Sequence, residues 1–253
     1  FVSVTYGAGG TTRDLTRDAV ATLHKSSGLN VAAHLTCVGA SKAETLEVAD
    51  SFAEIGVTDI VALRGDPENG APTFTPHADG FADSVELIEA LAKTGKFTLR
   101  VGAYPEPHPE SHDQAQNVEW LKRKFDAGAD EAITQFFFET ETFLRFRDAC
   151  AAAGITKTIT PGIMPVTNWK SARNFATRCG ASVPAALDEA YAAAIRDDRH
   201  DLLSTALCTE MCSELVSEGV ENLHFYTLNR PELTRAVCRA LGVTAQTSLS
   251  DVA

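Results

Sequence analysis

Short apolar runs alternate with longer amphipathic segments along this chain. The early apolar runs begin roughly 30 residues apart, which is the length of a βαβ unit. Strands that alternate with helices in this way predict an α/β fold with a parallel sheet. Seven runs rich in strand-forming residues predict the strands, and they are Phe1–Thr5, Asn30–Thr36, Asp59–Leu63, Thr98–Gly102, Glu131–Phe137, Lys157–Ile159 and Asn222–Phe225.

Capping residues predict where several helices begin and end. Ser41 and Glu44 form a capping box that precedes apolar residues at helical spacing. The helical pattern Val118–Ala127 stops at a glycine, and Pro231 opens the last helix. A long helical pattern with one break covers Ala185–Gly219. It indicates extra helices before the last strand.

The composition restricts the class of protein. The chain has 253 residues, of which 44% are hydrophobic, and its formal net charge is −12. This acidic balance argues against nucleic-acid binding, which needs clustered lysine and arginine. The apolar runs are too short to span a bilayer, and we expect no signal peptide. The six cysteines form no CxxC pair. Cys208 and Cys212 lie one helical turn apart, which fits a metal or redox pair or two small core residues on one helix face; we expect the core pair, because no nearby histidine or cysteine completes a zinc set. We therefore expect reduced thiols, no metal and a cytoplasmic location.

Polar residues stand where the predicted strands end. His34 lies late in the second strand, Arg64-Gly65-Asp66 follows the third, and Gln135 lies late in the fifth. Each also fits a structural role, since His34 can be a hydrogen-bonded core histidine and Arg64 and Asp66 an ion pair. The carboxyl ends of parallel strands meet at one edge of the sheet, where ligands bind. Taken together, these residues predict a ligand site at that edge.

Three adjacent cations, Lys122, Arg123 and Lys124, stand on the helix Val118–Ala127. They fit a solvated helix face, and beside the strand ends of an acidic protein they also fit a pyrophosphate site. The glycines at 7, 9 and 10 lack the full dinucleotide fingerprint, and the chain has neither a P-loop nor a GxSxG motif. A Rossmann nucleotide domain is therefore not expected.

The order of these motifs resembles that of the methylenetetrahydrofolate reductase family, the flavoproteins of folate metabolism. The resemblance runs from Phe1 to about Gly242. The segments that carry it are Phe1–Ala8, His34–Cys37, Leu63–Asp66, Ala103–Glu110, Leu121–Lys124, Asp126–Ala129, Ile133–Phe138, Pro161–Pro165 and Phe225–Arg230.

This resemblance implies a (β/α)8 TIM barrel that forms a single domain over residues 1–253. Only seven strands are predicted, so we expect that the first strand and helix of the barrel are absent from this chain and lie before Phe1. In the family that strand carries a glutamate that acts as general acid, which we expect upstream of residue 1. A non-catalytic barrel subunit that has lost its first strand is the alternative at this point.

The resemblance also implies FAD as the cofactor at the carboxyl-terminal rim of the barrel. The flavin takes a hydride from NADH or NADPH and then reduces 5,10-methylenetetrahydrofolate to 5-methyltetrahydrofolate, a ping-pong step that serves methionine biosynthesis. We expect a homo-oligomer without nucleic-acid or membrane partners. A cofactor-free TIM-barrel lyase that binds a substrate phosphate at the rim is the second enzyme alternative.

Particular residues receive roles from the resemblance. Arg123 and Lys124 suit the FAD pyrophosphate, and Asp66 near the pyrimidine ring lowers the flavin potential. Gln135, a donor and an acceptor, orients the folate. The expected catalytic residues are Asp66 and Gln135. The expected substrate contacts are Asp66, Gln135, Phe175, Tyr226 and Arg230. The expected FAD contacts are Thr5, Tyr6, Ala8, His34, Arg64, Gly65, Asp66, Ala82, Tyr104, His108, Arg123 and Lys124.

Overall fold

A computed structural model of the chain describes residues 1–6, 13–67 and 73–243. Six strands form one sheet in chain order, and each neighbouring pair of the first four strands is parallel. Two further short strands pair with each other in parallel. The strands are β1 (Val2–Val4), β2 (Val31–Thr36), β3 (Asp59–Leu63), β4 (Thr98–Ala103), β5 (Glu131–Thr134), β6 (Thr158–Thr160), β7 (Gly162–Ile163) and β8 (His224–Phe225).

Helices follow most of the strands, as the amphipathic segments predict. The capping box at Ser41 is confirmed, because Ser41 accepts a hydrogen bond from the Glu44 backbone and the Glu44 carboxylate accepts one from Ser41. The long pattern over Ala185–Gly219 forms two helices, with Asp198 between them at φ 53°. The helices are α1 (Arg13–Ser27), α2 (Lys42–Glu54), α3 (Ser84–Thr94), α4 (Gln114–Asp126), α5 (Thr140–Ala152), α6 (Trp169–Cys179), α7 (Ala185–Arg196), α8 (His200–Ser217) and α9 (Pro231–Ala240).

The chain divides into two compact units. The first contains β1 to β4, and its core includes Val20 of α1 and Phe52 of α2, both fully buried against Val31 and Ala33 of β2. The second contains β7 and β8 and has an aromatic core. The first unit comprises Phe1–Ala103, Val118–Ile133 and Cys150–Ile159, and the second comprises Tyr104–Asn117, Thr134–Ala149 and Thr160–Ala253.

A buried ion-pair cluster lies near the amino ends of the strands in the first unit. Arg100 of β4 donates to the Asp59 carboxylate at the start of β3, and its Nε donates to Glu131 Oε2 at 3.0 Å. Asn30 Nδ2 donates to the second Asp59 oxygen at 2.9 Å. Removing Arg100 alone would take the arginine partner from the buried Asp59 carboxylate, so this cluster stabilises the contacts between neighbouring strands.

The α/β class and the parallel six-stranded sheet are confirmed. A closed barrel of eight strands and a single domain over residues 1–253 stay predictions. Within the described ranges, β7 and β8 form a separate two-stranded sheet in which Gly162 pairs with His224 and Ile163 with Phe225. None of the described helices combines the length and apolar character that a membrane span requires.

Candidate functional site

The loop after β3 has a backbone shape that only glycine adopts easily. Gly65 has φ +91°, and a Cβ at this position would lie 2.6 Å from Val38 Cγ1. The Cys37 thiol donates to the Arg64 carbonyl at 3.4 Å and thereby joins this loop to the end of β2. Burial is the main reason that the pKa of Cys37 rises to about 11, so this thiol stays protonated and keeps its donor.

Two cations of the first unit lie close enough to influence one another. Lys124 of α4 is buried, and its Nζ donates to the carbonyl of Gly102 at the end of β4, at 2.6 Å. Burial and the nearby Arg64 charge lower the pKa of Lys124 to about 8, and Asp83 opposes this shift. The Arg64 guanidinium lies over the Phe74 ring at 4.7 Å. The carboxyl edge of the sheet therefore carries a buried positive charge.

A buried hydroxyl lies beside the same loop. The Thr36 side chain stands at the end of β2, where its Cβ would be 3.2 Å from a Cβ added at Gly65. Its Oγ1 is buried and has no hydrogen-bond partner within the described part of the chain. A buried hydroxyl without a partner is unfavourable, so this edge offers a ligand both a cation and a hydrogen-bonding group.

The other site residues predicted in the first unit have varied surroundings. Thr5 is exposed and its carbonyl accepts from Thr16 Oγ1 at 3.3 Å, Tyr6 is buried, and His34 is half-buried within β2. Asp66 and Ala82 are exposed. Arg123 points away from the core, with its guanidinium 4.2 Å from the Trp120 ring centre. Ala8 lies outside the described residues.

In the second unit, Tyr104 and His108 form a T-shaped pair with ring centres 4.5 Å apart. The backbone N–H of Glu110 donates to His108 Nδ1 at 3.1 Å, which fixes the ring. Asn117 is buried and its Nδ2 donates to the carbonyls of Tyr104, at 3.2 Å, and of Glu106, at 2.7 Å. The two rings therefore stand on a loop whose backbone is tied to α4.

Gln135 follows β5 in a tightly packed part of the second unit. Its Oε1 accepts a hydrogen bond from the Phe136 backbone at 3.0 Å. The Tyr226 hydroxyl donates to the Thr134 carbonyl at 2.7 Å, and burial raises the pKa of Tyr226. A Cβ on Gly162 would lie 2.1 Å from the Thr134 carbonyl oxygen. Glycine at 162 therefore lets β7 approach the end of β5.

Phe175 and Arg230 occupy different environments within this unit. Phe175 is half-buried and stacks on Phe136 with ring centres 5.3 Å apart, while the Arg178 guanidinium lies 5.5 Å from its ring. Arg230 is exposed at the start of α9. It follows Leu228 and Asn229, whose φ values of 49° and 59° make a tight left-handed turn. The turn presents the Arg230 side chain at the surface.

The sequence did not predict the contacts that Asp83, Cys37 and Asn117 make around these residues. Asp83 caps α3 through hydrogen bonds from Val85 N at 2.8 Å and Glu86 N at 3.0 Å. The aspartate three residues before a glutamate was a readable signal for this cap. Cys37 and Asn117 carried no such local signal, because each contacts a carbonyl that is distant in sequence.

The predicted site residues thus fall into two sets. In the first set, Arg64, Gly65 and Lys124 lie together in the first unit. In the second set, which lies in the second unit, Tyr104 pairs with His108, and Gln135 and Tyr226 lie at the end of β5. The prediction that both sets serve one rim stays a prediction. In the described ranges, no group of three or more His, Cys, Asp or Glu residues is arranged to hold a metal ion.

Comparison with known proteins identifies the family. The family model of methylenetetrahydrofolate reductase matches residues 1–242. The 5,10-methylenetetrahydrofolate reductase of Pectobacterium carotovorum subsp. carotovorum is 43% identical over 245 residues, covering 96% of this chain and 80% of that protein. The Escherichia coli (strain K12) enzyme of the same name is 41% identical over 246 residues, with the same coverages. The chain belongs to the methylenetetrahydrofolate reductase family, the oxidoreductases of folate-dependent one-carbon metabolism.

Proposed function

We propose that this chain is an FAD-dependent reductase that converts 5,10-methylenetetrahydrofolate to 5-methyltetrahydrofolate with NADH or NADPH. A bound FAD would supply hydride transfer, accepting from the pyridine nucleotide and then donating to the folate in a ping-pong sequence. We further propose a cytoplasmic homo-oligomer that has neither a nucleic-acid nor a membrane partner. Family membership and the buried cation at the sheet edge support this proposal.

The burial of the Lys124 ammonium group is the observation that supports FAD as the cofactor. Its ammonium group is buried, donates to one neutral carbonyl and forms no ion pair with any described carboxylate. A buried cation without a counterion is unfavourable, and the pKa near 8 reflects that. A diphosphate would supply the missing negative charge and accept charge-assisted hydrogen bonds. The residues present therefore fit a dinucleotide such as FAD.

Residues near Lys124 also suit a bound dinucleotide. The positive φ of Gly65 and its lack of a Cβ let this loop pack directly against Val38 and Thr36, which fixes the loop backbone beside Arg64. Arg64 supplies a second cation, and the Thr36 hydroxyl supplies a group that needs a partner. We assign the remaining FAD contacts of this unit by motif position only, and they are Thr5, Tyr6, Ala8, His34, Ala82 and Arg123.

Asp66 has two proposed tasks. An exposed carboxylate beside the pyrimidine ring of a flavin disfavours added negative charge there and so lowers the reduction potential. The same oxygens can accept hydrogen bonds from the N–H groups of a pterin. Replacing Asp66 with asparagine is expected to raise the flavin potential and to weaken folate binding.

The second unit supplies the proposed folate and nucleotide contacts. Gln135 uses its Oε1 on the backbone, so its amide N–H₂ is the group proposed to donate to folate. Phe175 offers a half-buried ring for stacking on the p-aminobenzoate or the nicotinamide. Arg230 is an exposed cation suited to a carboxylate or phosphate, and Tyr226 shapes the neighbouring wall. Tyr104 and His108 are proposed to contact the FAD.

Flavin content and electron-acceptor assays test the proposal. The purified protein should be yellow, and adding FAD to flavin-free protein should restore its absorbance. It should oxidise NADH or NADPH when menadione is the acceptor, and 5-methyltetrahydrofolate should form with the folate acceptor. A colourless protein that gains no flavin absorbance on reconstitution would overturn the proposal.

A further inference from the structure

The second unit contains a cavity that the proposed reaction does not use. Its volume is about 330 Å³, a space that would hold about ten water molecules as liquid. It lies among the start of α5, the segment after β7, and helices α7 and α8. Its apolar surface includes Phe138, Met164, Leu207 and Met211. None of its lining residues is among those predicted to bind FAD or folate.

A buried pair of hydroxyl groups lines this cavity. Tyr191 and Ser204 are each 2% exposed, and their oxygens lie 3.2 Å apart. The pair has two hydroxyl hydrogens, and their mutual bond uses one of them. Within the described part of the chain, the other hydrogen has no acceptor outside the pair. The Trp169 ring stacks on Tyr191 at 4.4 Å and holds it in place. The cavity wall therefore offers an unused donor.

The mouth of the cavity is acidic. Glu139, Glu141, Glu210 and Glu214 line it and are exposed, and its described lining includes no lysine, arginine or histidine. The first two lie at the amino end of α5, where the helix dipole offsets part of their charge. Glu214 accepts a hydrogen bond from Thr140.

The four glutamates are not equally neutralised. Glu141 also lies 3.7 Å from Arg145 in an exposed ion pair. Glu210, on α8, has no ion pair among the described residues and lies away from the start of that helix. An apolar cavity with a negatively charged mouth is complementary to a ligand that has an apolar body and a positive charge.

We propose that this cavity binds a small organic amine. The ammonium group meets the glutamates at the mouth, the apolar body fills the space between α7 and α8, and a hydrogen-bond acceptor on the body meets the Tyr191–Ser204 pair. Ser204 and Glu210 are six residues apart on α8, which is about 9 Å along the helix axis. This axial rise, with about a third of a turn around the helix between the two positions, sets the scale of the spacing between the acceptor and the charge of the ligand.

Three probes of the same shape test the proposal on the full chain. 4-Methoxyphenethylamine has the ammonium, the ring and an ether acceptor at about the required spacing. 2-(4-Methoxyphenyl)ethanol replaces the charge with a neutral group, and 3-(4-methoxyphenyl)propanoate reverses it. Calorimetric titration should show the amine binding about tenfold more tightly than the alcohol, because several exposed carboxylates each contribute a few-fold. The carboxylate should bind more weakly still.

Substitutions locate the binding and keep the test independent of catalysis. Glu210→Gln should weaken amine binding about two- to fivefold, and Glu189→Gln, the same change at an exposed α7 glutamate outside the cavity, should not. Leu207→Trp should abolish binding by filling the space. If the tryptophan variant misfolds, the double variant Tyr191→Phe/Ser204→Ala tests the hydroxyl pair, because it removes both hydroxyl hydrogens and should weaken binding of the amine and of the alcohol alike.

Several results would overturn this inference. They are equal binding of all three probes, amine binding that survives Leu207→Trp in a folded protein, equal effects of the Glu210 and Glu189 variants, and no amine binding at millimolar concentration. None of these results depends on flavin content or turnover. The amine site and the proposed reductase function can therefore be refuted independently of one another.

Discussion

Replacing Lys124 with methionine separates a binding role for this residue from a structural one. Methionine keeps most of the length of the side chain and removes its charge. In the protein without FAD, the fall in the Lys124 pKa from 10.5 to about 8 is equivalent to about 3 kcal/mol of unfavourable burial. The variant also loses the hydrogen bond to Gly102 at 2.6 Å, worth about 1 kcal/mol. The flavin-free variant should therefore be more stable than wild type, by roughly 1–2 kcal/mol.

FAD affinity should change in the opposite direction. A hydrogen bond between a charged donor and a phosphate contributes about 1.5–3 kcal/mol, so Lys124→Met should weaken FAD binding roughly 10- to 150-fold. The measurements are urea unfolding of flavin-free protein and titration of FAD by its fluorescence. A gain in stability together with a loss of affinity is the signature of a residue that is kept for its ligand.

Lys122 provides the matched control. It stands two residues away on the same helix, is exposed, and its Nζ lies 3.7 Å from the Asp126 carboxylate. Lys122→Met removes the same charge and should change FAD affinity by less than about twofold. If Lys124→Met binds FAD as well as Lys122→Met does, or if it destabilises the flavin-free protein, Lys124 is structural and the argument for a diphosphate fails.

Three further predictions concern stability and are checked by urea unfolding. Between pH 8 and pH 10.5, the unfolded chain keeps the Lys124 proton that the folded flavin-free chain has released, so the stability of wild type relative to that of Lys124→Met should rise with pH, while the buried thiols shift both profiles alike; parallel pH profiles would contradict this. Gly65→Ala should lower the free energy of unfolding by about 2–4 kcal/mol. Gly154→Ala is the control, because Gly154 also has a positive φ but a Cβ there would meet nothing within 4 Å, whereas a Cβ at 65 would meet Val38. Equal losses of stability would show that the contact with Val38 does not matter. Arg100→Met should cost about 3–5 kcal/mol by removing the arginine partner of the buried Asp59 carboxylate, and wild-type stability would show that the cluster is dispensable.

The sequence predicted those strands whose apolar residues are continuous. Asp59–Leu63 was predicted as a strand and is β3, because its buried residues face cores on both sides. The prediction Glu131–Phe137 was too long, since β5 ends at Thr134. Phe137 is buried against Phe143, with ring centres 5.7 Å apart, rather than paired in the sheet. Periodicity does not distinguish an apolar strand residue from an apolar residue in a packed loop.

The candidate site was predictable in its residue types and less so in its geometry. Of the three adjacent cations, Arg123 and Lys124 were assigned to the pyrophosphate from the resemblance, yet Lys124 alone among the three is buried. Leu121 precedes Lys124 by three residues and is buried on the same helix face, so helical spacing did contain this signal. The hydrogen bond from Lys124 to Gly102 was not predictable, because the two residues are distant in sequence and meet only when α4 packs on β4.

The two flavin half-reactions decide whether this chain is a flavin-dependent reductase of methylenetetrahydrofolate. The protein is loaded with FAD without oxygen, NADH or NADPH is added, and 5,10-methylenetetrahydrofolate follows after the excess nucleotide is removed. We expect that the nucleotide bleaches the flavin absorbance, that the folate restores it, and that one 5-methyltetrahydrofolate forms for each flavin reoxidised. A bound flavin that neither nucleotide bleaches, or that returns to its oxidised form without a methylated folate product, would contradict this expectation.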